Sequence, residues 1–234
     1  MDDNGLPLIL MLLRWLHLLF GVTWIGLLYY FNFVQTPFFG ETDPPVRSGA
    51  QQKLLPRALW WFRWGAMGTV LFGLAYLLIE WSRKGWTFDP WTIAIVTGGV
   101  MGIIMWANVW FVIWPNQKII IANATAMAGG AAANPAAAPA GRRAALASRT
   151  NTMFSIPMLF FMGAASHYSI SPNITTVGIW LWVIIVGGII GLLEINALCG
   201  TQGATKKPLD SISGVIWAGF VLWIVLVAII MAIL

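Results

Sequence analysis

Charge is scarce in this sequence. Asp, Glu, Lys and Arg make up 9% of its 234 residues, where a soluble domain carries about 25%. Cysteine is nearly absent. The lone Cys199 excludes an internal disulfide, a multi-cysteine metal site and a CxxCH haem-attachment motif. No period of 20–50 residues marks a repeat array. A cleavable signal peptide is excluded too, because the chain opens on Asp2 and Asp3 where a signal is basic, and its first apolar stretch is too long.

Apolar residues dominate what is present, at 59% with mean hydropathy +0.79. Several apolar runs exceed the ~18–20 residues that cross a bilayer. The sequence pI of 9.7 does not indicate nucleic-acid binding, since the basic residues sit mostly in loops between those runs. The composition predicts an all-α integral membrane protein.

Hydropathy and flanking charge predict one membrane domain over 1–234, a bundle of six transmembrane helices at about 8–34, 58–81, 91–114, 150–169, 174–198 and 212–234. Pro7 suits a helix start, and Pro157 is a candidate kink. The odd-numbered loops carry Arg47, Lys53, Arg57, Lys118, Arg142, Arg143, Arg149, Lys206 and Lys207, against Arg83 and Lys84 on the other side. That asymmetry puts the odd loops in the cytoplasm and both termini in the periplasm. The stretch 128–140 is rich in Ala, Gly, Asn and Pro, with little to bury, and reads as a flexible cytoplasmic linker. The stretch 41–56 reads as a structured cytoplasmic loop.

Ionisable groups inside spans usually face the bundle interior and are functional candidates. Arg14, His17, Gly21, Trp24, Leu28, Asn32 and Gln35 fall at spacings of three and four, along one stripe of the first span. That stripe suits either a polar packing face or a site. His17 and His167 are the two histidines, both expected in the outer half of the membrane. Imidazoles on two helices can hold a b-type haem or a metal, or make structural hydrogen bonds. A second polar group gathers toward the cytoplasm: Arg63, Asn108, Asn116, Gln117, Arg149, Asn151, Glu194 and Asn196. Within it, Arg63 and Asn108 are candidate anchors for a planar anionic substrate, or members of an ordinary interface layer. The fifteen tryptophans include Trp60, Trp61, Trp81, Trp91 and Trp114 near span ends, as aromatic belts require. Gly98 with Gly102, and Gly187 with Gly191, allow close helix contact.

The stretches RWLHLLFGVTWIGLLYYFNFVQ (14–35), RALWWFRWGAMGTVLFGLAYL (57–77), NVWFVIWPNQKII (108–120) and SRTNTMFSIPMLFFMGAASHY (148–168) together resemble the membrane domain of the bacterial cytochrome-c-type urate oxidase (urate hydroxylase) family. WPNQK and SRTNT are the most specific segments. The resemblance implies a redox-associated subunit of the bacterial inner membrane that oxidises urate or a similar compound. Family members of the full-length kind carry a C-terminal c-type cytochrome, and no CxxCH occurs here. The implied electron acceptor is therefore a separate periplasmic c-type cytochrome, with haem b near His17 and His167 as the implied cofactor. The competing expectation is a non-catalytic accessory subunit, surrounded by membrane lipid and packed on a larger membrane complex.

Overall fold

The computed structural model describes residues 5–170 and 173–234, so the acidic start at Asp2 and Asp3 lies outside the described residues. Those residues contain no strand. The chain runs as α1 (Gly5–Tyr29), a π-helical turn (Tyr30–Gln35), α2 (Thr36–Glu41), α3 (Pro44–Arg83), α4 (Pro90–Ala107), a second π-helical turn (Asn108–Ile113) and α5 (Trp114–Ala128). It continues as α6 (Ala137–His167), α7 (Thr176–Leu198), a 3-10 turn (Ala204–Asp210) and α8 (Ile212–Ile233).

Among the described residues, five stretches are long and apolar enough to cross a membrane: Gly5–Glu41, Pro44–Arg83, Pro90–Ala128, Thr176–Leu198 and Ile212–Ile233. The first three hold 37, 40 and 39 residues. At 1.5 Å per residue each is over about 55 Å long, far more than a ~30 Å hydrocarbon core needs. α6 is not among the five, because Thr150, Asn151, Thr152 and Ser155 dilute its hydropathy. Those residues are fully buried. α6 is the axis of the bundle, packed against α4, α5, α7 and α8, while α1 pairs chiefly with α3.

The helices outrun the expected spans in four places. The first continues from 34 to Glu41, and the third from 114 to Ala128. The second begins at Pro44 instead of 58, so the expected loop 41–56 is mostly helix. Pro44 and Pro45 occupy the first turn, where a missing N–H costs nothing, and Ala, Gln, Lys and Leu carry the helix on. α6 begins at Ala137 instead of 150, which shortens the irregular stretch between helices to 129–136. Alanine has the highest helix propensity of all residues, so an alanine-rich segment with a partner to pack on becomes helix. Ala140, Ala144 and Ala147 are buried.

Two close approaches fix the packing around α6. A Cβ on Gly98 of α4 would lie 3.2 Å from the Met158 carbonyl. On α8, a Cβ on Gly219 would lie 2.9 Å from the Met153 carbonyl. Met153 is four residues before Pro157, so that carbonyl has no ladder donor from the proline. α8 packs directly over it. By contrast, Gly102, Gly187 and Gly191 have no atom within 4 Å of a built Cβ, so the second GxxxG pair is not a contact within this chain. Trp182 of α7 donates its indole N–H to Thr97 Oγ1 of α4 at 3.0 Å, tying a third helix to the core.

Candidate functional site

The two π-helical turns share one cause. Pro37 follows the first by two residues and Pro115 follows the second by two. A proline ring clashes with the carbonyl four residues back, here Phe33 and Phe111. Widening the helix relieves the clash, and the backbone N–H groups of Thr36 and Trp114 accept the shift by bonding Phe31 and Val109, five residues back. Each bulge also carries amide side chains into the bundle: Asn32 and Gln35 in the first, Asn108 in the second, all buried. Bulges of this type are frequent at functional sites.

Asn32 and Gln35 border a cavity of about 170 Å³. Its walls come from the first bulge and α2 (Phe31, Thr36, Phe39), α3 (Gln51, Leu55, Leu59, Phe62), Ile113 with α5 (Gln117, Ile120) and α6 (Gly141, Ala144, Ser148, Arg149). The volume suits a small heterocycle and falls below the ~300–1,000 Å³ of drug-sized pockets. Asn32 Nδ2 donates to the Leu28 carbonyl at 2.9 Å and to Ser148 Oγ at 2.8 Å, so its NH2 is fully used. Gln35 Oε1 and Gln117 Oε1 are buried with no protein donor. Arg149 is half-buried; one N–H donates to the Leu209 carbonyl at 2.6 Å, and none of the ion pairs among the described residues involves it. The cavity therefore presents one cation and two unsatisfied acceptors. Its complement is a planar molecule with an anionic or carbonyl edge and ring N–H donors.

The residues singled out from sequence occupy four different settings. His17 lies on the stripe that faces α3, where Trp24, Leu28, Asn32 and Gln35 are buried and Arg14 bonds the Tyr76 hydroxyl. Its Nδ1 is 2.8 Å from the Thr69 carbonyl, and its ring lies so close to α3 that a Cβ on Gly73 would come within 2.6 Å of Nδ1. His167 is exposed at the end of α6. Arg63 stacks over Trp114 at 3.5 Å from the ring centre, with Nε bonded to the Leu59 carbonyl. Asn108 donates to Asn151 Oδ1 at 2.9 Å and to Glu194 Oε2 at 3.1 Å, and Asn151 in turn donates to the Met105 carbonyl at 2.9 Å. Arg63 and Asn108 do not line the cavity.

Gln117 and Arg149, both in the second polar group of the sequence, do line it. Gln35 stood on the stripe of the first span, whereas Gln51 and Ser148 were not separated as site residues by sequence reasoning. For Gln35 an added signal was the proline two residues beyond it, which marks the bulge. Among the described residues no group of three or more His, Cys, Asp or Glu side chains could hold a metal ion.

A family profile described as urate oxidase N-terminal matches residues 84–232, which takes in α4 to α8 and the second bulge. No curated protein and no solved structure matches the chain. Since the matched region is well over half of its length, the chain belongs to the urate oxidase N-terminal family.

Proposed function

We propose that this chain is a redox-associated integral-membrane subunit that binds a urate-like purine in the Gln35–Gln117–Arg149 cavity and passes its electrons to a separate periplasmic c-type cytochrome. The observation that carries the reading is the set of unsatisfied groups in that cavity, taken with the family membership. Urate is a planar bicyclic anion with ring N–H donors and carbonyl oxygens. Arg149 would meet its anionic edge, while Gln35 and Gln117 would accept its N–H groups. In this reading α6 is a sixth span, shielded from lipid by its neighbours, with the molecule in the bacterial inner membrane. The basic side of the bundle faces the cytoplasm, and both termini are periplasmic.

The donor set also suits a b-type haem at one position. A carbonyl oxygen only accepts, so the Thr69 contact puts the proton of His17 on Nδ1 and leaves the Nε2 lone pair free as a ligand. His167 would be the second candidate ligand. A bound haem would supply one-electron carriage between the purine and the cytochrome.

Titration of urate into purified protein tests the reading, with Arg149→Gln and Gln117→Leu alongside and with added cytochrome c as acceptor. Saturable binding weakened in both variants, with urate-dependent cytochrome reduction, is expected. Wild-type protein that binds no purine refutes it. A reduced-minus-oxidised spectrum with His17→Ala and His167→Ala tests the haem separately.

One observation favours a second reading. Gly187 and Gly191 form an open notch on α7 beside the exposed Ile184 and Leu192. A transmembrane helix of a larger complex would pack there, with this chain as its accessory subunit.

A further inference from the structure

Arg149, the cation of the cavity, is held from outside it. Arg142 and Arg149 stand two helical turns apart on α6, so both side chains leave the same edge of that helix. Both reach the segment between α7 and α8. Arg142 donates from Nε to the Thr201 carbonyl at 2.9 Å and from Nη1 to Asp210 Oδ1 at 2.7 Å. Arg149 donates from Nη1 to the Leu209 carbonyl at 2.6 Å. That carbonyl belongs to the peptide unit that joins Leu209 to Asp210. The Leu209 end is anchored by a side chain only 3% exposed, and the Asp210 end by the ion pair with Arg142. The bond to Leu209 uses Nη1 alone, which leaves Nε and Nη2 of Arg149 for the two-pronged contact that a planar anion accepts.

We propose that Asp210 is a positioning residue for Arg149. Through its pair with Arg142 it holds the Leu209 carbonyl as a stop, and the stop presents the Arg149 guanidinium to the cavity in one orientation. The inference rests on the reading of that cavity as a purine site, and it names an element outside the cavity that sets affinity for the anion. An arginine released from the stop must be ordered by the ligand itself, and that ordering weakens binding. Through-space charge makes the opposite prediction, because taking a carboxylate away from an anion site favours the anion. With side chains 31 and 48% exposed, the ion pair adds little to stability, so its loss leaves the fold in place.

The test is Asp210→Ala in the full chain in detergent micelles. Urate affinity should fall by about three- to tenfold although a negative charge has been removed. The fall should vanish in the Arg149→Gln background, which a general loosening of the fold would not do. Arg143→Gln, exposed beside Arg142, should leave affinity unchanged. NMR of protein carrying isotope-labelled arginine reads the same contact without purine. Arg149 should show two distinct terminal nitrogens in the wild type, merged by free rotation in Asp210→Ala. Urate affinity unchanged or raised in Asp210→Ala, an equal fall in the Arg149→Gln background or in Arg143→Gln, or an Arg149 signal the same in both proteins overturns the proposal. Wild-type protein that binds no urate, yet loses its distinct Arg149 nitrogens in Asp210→Ala, sinks the purine reading alone. Urate binding with neither readout moved by Asp210→Ala sinks the positioning role alone.

Discussion

Asn108→Ala separates a structural amide from a substrate anchor. The wild-type side chain makes two hydrogen bonds, to Asn151 Oδ1 and Glu194 Oε2, and thereby joins the second bulge to α6 and α7. Each bond contributes about 0.5–1.5 kcal/mol by soluble-protein measures and about 0.6 on average inside membranes. Removing the side chain also strips the amide donor from the fully buried Asn151 oxygen. The expected loss is therefore about 1–3 kcal/mol. The assay is equilibrium unfolding in mixed micelles on a double-mutant cycle with Glu194→Gln. If the pair is one network, the two changes are non-additive by about 0.5–2 kcal/mol. Urate affinity in whatever protein remains folded should change little. Effects additive to within about 0.4 kcal/mol would show that Asn108 and Glu194 are not coupled. A stable variant that loses urate binding would return Asn108 to the substrate site.

Gly219→Ala places a Cβ 2.5 Å from Ile156 Cδ1 and 2.9 Å from the Met153 carbonyl, and the backbone atom cannot move aside as the side chain can. It should destabilise by about 1–3 kcal/mol, read as a lower unfolding temperature, whereas Gly187→Ala on the open notch should be silent. Gly73→Ala drives a methyl into the His17 ring and should displace it from the Thr69 carbonyl. Where a haem is retained, its optical band should shift in this variant, and an unchanged spectrum would place the ligand elsewhere. At the start of α4, burial alone would raise the Asp89 carboxyl, but the Lys84 ammonium and the N–H and hydroxyl of Thr92 outweigh it and hold it below the ordinary carboxylate range. Its stabilising contribution is complete above about pH 4 and is lost as pH falls through the depressed folded value. Asp89→Asn should flatten the acid limb of the stability profile and leave neutral pH less stable than the wild type.

Much of the scaffold was readable from residue order alone. Low charge and long apolar runs fix a helical membrane protein, because lipid offers the backbone no partners outside a helix or a closed barrel. From His17 to Gln35 the stripe turned toward protein as its three-and-four spacing requires, while Arg14 stays exposed and bonds the Tyr76 hydroxyl. The expected span at 150–169 falls within the helix α6, whose low hydropathy keeps it out of the five stretches apolar enough to cross a membrane. Helix length was less legible. The segments from Pro44 and from Ala137 look like loop by composition, and only packing of their alanines and leucines against neighbours makes them helix. Tertiary structure alone decided which polar residues meet. The second polar group reads as one layer in sequence, yet Asn108 and Glu194 close on each other while Gln117 and Arg149 open on a cavity with Gln35. Those partners come from helices distant in the chain, so which of them meet depends on how α3, α5, α6 and α7 pack around the two proline-driven bulges, and no period within one helix encodes that.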